Sequence, residues 1–144
     1  LSQSFDDNVD FDEIADRLIR TVLEVSRESG VGQVRAERIG SFGSLPGSVA
    51  TPLAMVLSEL VHNAVEHAYH GGSGGTLTLA VNRIRDRIRL RVSDDGAGLP
   101  DEFDPTASLG LSIVTTLVEG ELGGSLSFEK RRAGGTTVVI SLAV

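Results

Sequence analysis

The segments "TLTLAVNR" (76–83) and "DRIRLRVSD" (86–94) decide the fold. Both alternate: Leu77, Leu79 and Val81, then Ile88, Leu90 and Val92, take one side, and Arg87, Arg89 and Arg91 take the other. A period of two predicts paired, half-buried strands with the arginines on a solvated face. Their apolar face needs a second layer, and the flanking sequence supplies it.

Before the pair, "FDEIADRLIRTVLEVSRE" repeats Phe11, Ile14, Leu18, Val22 and Val25 at helical spacing. Asp10 with Glu13 has a capping-box pattern, Val9 with Ile14 suits a hydrophobic staple, and Gly30 is a stop signal. Val34 to Ile39, "VRAERI", is a short strand candidate before the turn-rich "GSFGSLPG". A second helix is expected from Thr51 as N-cap, with Pro52 in its first turn, to about Tyr69. A third is expected over "GLSIVTTLVEGEL", and "GSLSFEK" and "TTVVISL" form a closing hairpin through "RRAGG". The expected architecture is α+β: a two-layer α/β sandwich with a mixed, mostly antiparallel sheet of four or five strands and about three helices on one face.

The chain has 144 residues, 40% of them hydrophobic, enough for one core and one domain. It contains no cysteine, which excludes disulfide scaffolds and thiolate metal sites and fits a reducing cytoplasm. No apolar run approaches the roughly 20 residues of a membrane helix. The opening "LSQSFDDNVDF" lacks a secretory signal pattern and reads as a cut inside a longer chain. A formal charge of −7 argues against direct nucleic-acid binding and against anionic membranes.

Four stretches carry chemistry. In "SELVHNAVEHAY" (58–69), Glu59, His62, Asn63, Glu66 and His67 fall within an arc of about 140° on the helix. Leu53, Leu57, Leu60, Val61, Ala64, Val65 and Ala68 fill the opposite side, and Met55 is the exception to the division. The polar stripe has neither Lys nor Arg, unlike an ordinary wet face stocked with i,i+4 pairs. Glu59 and Asn63, one turn apart, can aim two oxygens at a hard cation such as Mg2+ that keeps most of its water. In "VSDDGAGLP", Asp94 ends a strand and Gly96 and Gly98 allow close approach. An ionised, partly buried carboxylate only accepts hydrogen bonds, which suits the amino group of adenine.

"TASLGLSIVTTL" leads a small-residue turn into a helix at Gly110, where free N–H groups can hold phosphate without lysine. Lys130 is the chain's only lysine, and no G-x-x-x-x-G-K-[ST] motif occurs. In "GGTTVVISL", Thr136 opens the last strand after a Gly pair with a hydroxyl able to donate or accept.

In this order the four stretches, spanning Thr51 to Leu142, resemble the GHKL superfamily of ATP-binding domains: histidine kinases, gyrase B, Hsp90 and MutL. "ELVHNAVEHA" looks like the N box, "DDGAG" like the G1 box, "SLGLSIV" like a G2 box and "GGTTVVISL" like the final Gly-Thr strand. The resemblance implies a Bergerat fold that binds ATP and Mg2+. It places Asn63 on the metal with Glu59 beside it, His67 near the phosphates and Asp94 on adenine. It puts Gly96 and Gly98 around the base, Leu109, Gly110 and Leu111 at the phosphates, and Thr136 in support of Asp94. The opening segment, "ATPLAMVLSELVHNAVEHA" and "TLVEGELGG" are similar to sensor histidine kinases of the HisKA_2 subgroup, especially the actinobacterial PdtaS-type kinases.

That similarity implies a helical segment over 1–30, following a dimerisation and histidine phosphoacceptor domain, and a catalytic, ATP-binding region over 31–144. It implies a cytoplasmic homodimer that passes phosphate to a response regulator, often one with an RNA-binding antiterminator output. Glu59 would be catalytic. Ser108 departs from the usual first glycine of the G2 run, and the short 99–109 segment leaves no room for a long ATP lid. No acceptor histidine is expected, since His62, His67 and His70 all belong to the N-box helix or its end. The weighed alternatives are a serine kinase of the anti-sigma type and a degenerate interaction domain that binds no nucleotide.

Overall fold

A computed structural model describes residues 8–28, 34–65, 75–96, 109–132 and 134–144, apart from the side chains of Ser26 and Leu109. In chain order the elements are β1 (Asn8–Asp10), α1 (Phe11–Glu28), β2 (Val34–Ile39), β3 (Ser44–Pro46) and α2 (Gly47–Asn63). They continue with β4 (Gly75–Ile84), β5 (Arg87–Asp94), α3 (Leu109–Thr116), β6 (Ser125–Lys130) and β7 (Thr136–Ala143).

Five strands form one sheet in the order β2-β4-β5-β7-β6. Only the β2–β4 pair is parallel; the others are antiparallel, so the sheet is mixed and mostly antiparallel as expected. The faces are those that alternation predicts. Leu77, Leu79, Ile88, Leu90 and Val92 are buried, whereas Arg87, Arg89 and Arg91 are exposed on the opposite face. Phe11, Ala15 and Ile19 of α1, Leu53, Leu57 and Leu60 of α2, and Val114 of α3 join those inward strand residues in one core. Three helices therefore cover one face of the sheet, and non-directional apolar burial holds the two layers together.

Three expectations change. Helix α2 starts at Gly47, a full turn before Thr51, with extended Pro46 as its cap residue. Pro52 thus lies inside the helix and forgoes one backbone hydrogen bond, but its ring is buried in the same layer as Ala50 and Leu53. Within "GSFGSLPG", β3 pairs antiparallel with β1, and Phe42 and Leu45 are fully buried. On α1 the buried row is Phe11, Ala15 and Ile19; Ile14, Leu18 and Val22 flank it, and Val25 is 56% exposed.

Asp10 caps α1 as expected, its carboxylate accepting from the Asp12 N–H at 3.2 Å. Glu13 pairs with Arg17 at 3.1 Å instead of completing the capping box. Arg38 points inward from edge strand β2, where its Nε donates to Asp16 at 2.8 Å and its Nη1 lies 3.2 Å from Asp12. Asp12 also accepts from the Phe42 N–H at 2.7 Å and the Gly43 N–H at 3.2 Å. This polar cluster fixes α1 to the sheet edge and to the loop leading into α2.

After Thr116 the third helix widens: the Leu122 N–H reaches back five residues to the Leu117 carbonyl at 2.9 Å. Among the described residues, no helix is long and apolar enough to cross a membrane.

Candidate nucleotide-binding site

The N-box helix divides as its spacing predicts. Leu53, Leu57, Leu60, Val61 and Val65 are buried, Glu59 and Asn63 are half-buried, and His62 is exposed. Met55, the apolar residue on the polar side, is 53% exposed. Glu59 meets the start of α3: a Cβ added at Gly110 would lie 2.6 Å from the Glu59 carboxyl carbon. Gly110 therefore lets Glu59 approach the start of α3 closely, whatever it offers a ligand. Two stretches about 50 residues apart in sequence are joined there.

At the end of β5, period-two alternation puts Asp94 on the inner face with Leu90 and Val92. Asp94 is 8% exposed and stands opposite Thr136 of β7, itself 7% exposed. Its Oδ1 accepts from the Gly96 N–H at 3.0 Å, and the Thr136 N–H also bonds the carboxylate. Burial pushes the Asp94 carboxyl above the usual carboxylate range and adjacent Asp95 adds to the rise; the Gly96 and Thr136 N–H groups and the Arg131 charge oppose it. Among the described residues, no cationic side chain forms an ion pair with it. This carboxylate is buried, supplied with neutral donors and still rich in lone pairs.

The structure thus brings Asp94, Gly96 and Thr136 together, and separately Glu59 and Gly110. Asn63 follows Glu59 by one turn, and Leu111 is half-buried against the core beside Gly110. Leu109 begins α3. His67 and Gly98 lie outside the described residues, as do Glu66, His70 and Ser108.

Two residues of the site escape sequence reasoning. Arg131, in the β6–β7 turn, donates from Nη1 to the Asp94 carbonyl at 2.9 Å. Gly135, at φ 97°, packs against the same peptide, where a Cβ would lie 2.7 Å from the Asp94 carbonyl carbon. The Gly pair is a visible turn signal; nothing local in "RRAGG" points either residue at Asp94. Asp95 meanwhile accepts from the Thr76 N–H at 2.8 Å, tying the start of β4 to the end of β5.

Among the described residues, no group of three or more His, Cys, Asp or Glu side chains is arranged to hold a metal ion. One half-buried carboxylate and one amide, Glu59 and Asn63, do fit a magnesium ion that takes its remaining ligands from water and phosphate.

Residues 48–144 match the family described as "Histidine kinase-, DNA gyrase B-, and HSP90-like ATPase". The chain is 41% identical to the sensor histidine kinase PdtaS of Mycobacterium tuberculosis over all of its own length and 29% of that kinase. It therefore spans less than a third of that relative. The histidine kinase domain of the Erythrobacter litoralis EL346 blue-light activated histidine kinase superposes with a TM-score of 0.74 at 28% identity, covering 90% of this chain and 60% of that one. The nucleotide-free catalytic domain of the histidine kinase ThkA gives a TM-score of 0.74 at 22% identity, covering 94% of each chain, and supports the fold. The match over most of the chain, together with the identity to a curated sensor kinase along its whole length, shows that the chain belongs to the histidine kinase-, DNA gyrase B-, and HSP90-like ATPase family and is homologous to the catalytic domains of sensor histidine kinases.

Proposed function

We propose that the chain binds Mg-ATP and donates the γ-phosphoryl group to a histidine on a separate, upstream domain of a two-component sensor kinase. Asp94 carries this reading, because a buried carboxylate with no ion-pair partner among the described residues is costly unless a ligand uses it. Its free lone pairs suit the amino group of adenine, with Gly96 and Gly98 shaping the base pocket and Thr136 steadying the acid.

Asn63 and Glu59 would hold magnesium, which when bound neutralises phosphate charge. His67 would face the phosphates. Leu109, Gly110 and Leu111 would present the N–H groups of the third helix to them. Glu59, beside Gly110, would either take a proton from the acceptor imidazole as it attacks or orient a metal-bound water. The chain's own residues do little covalent work in such a transfer; they position and neutralise.

On this basis the chain divides into a helical segment (1–30) and a catalytic region (31–144), with a dimerisation and phosphoacceptor domain before them. The whole protein would be a cytoplasmic homodimer passing phosphate to a response regulator, with an RNA-binding antiterminator as one form of output. The similarity to PdtaS kinases along the entire chain supports this.

Incubation with radiolabelled ATP, with and without the upstream helical domain supplied separately, tests the proposal. Acid-labile label should appear on the added domain and not on this chain. Strong self-labelling of the 144-residue chain, or acid-stable label on the partner, overturns it.

A further inference from the structure

The β6–β7 turn closes on itself: the Arg131 N–H donates to the Gly135 carbonyl, and the Gly134 N–H to the Arg131 carbonyl, both at 3.1 Å. Closure lays Gly135 on the end of β5, so tightly that a Cβ would lie 2.7 Å from the Asp94 carbonyl carbon and 2.8 Å from the Asp95 Cα. The same turn carries the Arg131 guanidinium to that peptide, where Nη1 donates to the Asp94 carbonyl at 2.9 Å. The strand end that projects the buried acid is therefore gripped by the turn through both backbone and side chain. We propose that Arg131 is a positioning residue for nucleotide recognition: it fixes the Asp94 peptide and supplies the positive charge that keeps the Asp94 carboxylate ready to accept from a purine amino group.

This rests on Asp94 being the residue that reads the purine. The charges acting on Asp94 come from two sides. Asp95, next along β5, opposes ionisation, and Arg131 favours it. The facing positions on β4 and β7 are Leu77 and Thr136, which carry no charge. Lys130 and Arg132 flank Arg131 in its own turn, and Glu59 and His62 lie on the polar face of α2. With a like charge adjacent and burial working against ionisation, loss of Arg131 leaves Asp94 harder to ionise. The consequence is specific: binding should become more sensitive to acid, beyond any general weakening.

Calorimetric titration of Mg-ADP into the chain between roughly pH 5 and 8 tests this with Arg131→Gln, Arg131→Lys and Asp94→Asn. Arg131→Gln should weaken binding several-fold at the acid end of that range and less near pH 8, moving the midpoint of the pH profile upward. Arg131→Lys should return the midpoint to the parent position, because the charge is restored, while affinity stays below parent for want of the planar fork. An unchanged profile in Arg131→Gln overturns the proposal, as does a loss equal at every pH or a lysine variant that behaves like glutamine. If the parent binds and Asp94→Asn does not, an unchanged Arg131→Gln removes only the role of Arg131. If the parent binds no Mg-ADP at any pH, the nucleotide reading falls and this inference with it.

Discussion

Asp12 and Asp94 are both carboxylates taken partly out of water, and the fold treats them in opposite ways. Burial pushes the Asp12 carboxyl up, yet the Ser41 hydroxyl, the Phe42 and Gly43 N–H groups and the Arg38 charge together outweigh it and hold the group below the usual range. At Asp94 burial wins. Two N–H donors and one guanidinium bound to the residue's own backbone carbonyl do not offset it, and the group stays above that range. Asp12 has spent its hydrogen-bonding capacity on Arg38 of β2 and the loop before β3, whereas Asp94 retains lone pairs that nothing described in the chain uses. A finished network marks a structural acid, and an unfinished one marks a group whose partner arrives from outside.

Removing each acid in turn should separate the two roles. Asp94→Asn should weaken Mg-ATP binding by about 100-fold, the scale of a hydrogen bond to a charged acceptor, with calorimetry as the check. Its unfolding free energy should change by no more than about 1 kcal/mol, since deleting a costly buried charge offsets the lost bonds. Asp12→Ala should do the reverse. Four partners lose a shared acceptor at once, so urea unfolding should report a loss of about 2 kcal/mol while nucleotide affinity stays at the parent value. A structural Asp94 or a nucleotide-sensitive Asp12 would break the comparison.

Much of this contrast is legible in the order of residues alone. Alternation in 76–94 is a local property, so it assigns the inward Leu77, Leu90 and Val92 and places Asp94 at the strand end. The stripe of Glu59 and Asn63 follows equally from helical spacing. What stays hidden depends on distant partners. A three-residue strand such as β3 is too short to show a period, so the burial of Leu45 and the start of α2 at Gly47 give no signal. Arg38 resembles any surface arginine until α1 brings Asp12 and Asp16 to it. Arg131 reaches Asp94 only because β7 pairs with β5.

Titration sharpens the comparison, because the two acids carry opposite signs. Asp12 has a lowered folded value, so its contribution to stability is complete above the unfolded value and is lost as pH falls through the folded one. Asp94 has a raised folded value; its protonated form favours the native state, and that benefit is lost as pH rises through the raised value. Nucleotide binding runs the other way at Asp94, since the base needs the ionised form. Affinity should fall by about tenfold per pH unit below the raised value, and Asp94→Asn should be flat across the same range. Urea unfolding of Asp12→Asn and Asp94→Asn beside the parent should show the stability difference shrinking with acid in both cases, from opposite starting signs.

The smallest effect is expected at Gly110, where the glycine protects a contact with a movable side chain. An added Cβ would strike the far end of Glu59, which can rotate away, unlike the backbone that confines Gly135. Gly110→Ala should therefore cost less than about 1 kcal/mol in unfolding free energy. Displacing the carboxylate should still tell. If Glu59 acts mainly at the transfer centre, Mg-ATP affinity should change by less than about threefold while phosphoryl transfer to the separate acceptor domain falls by about tenfold or more. A fall in affinity that matches the fall in rate would instead make Glu59 a ground-state ligand of the metal-nucleotide complex, and its part in the chemistry would shrink accordingly.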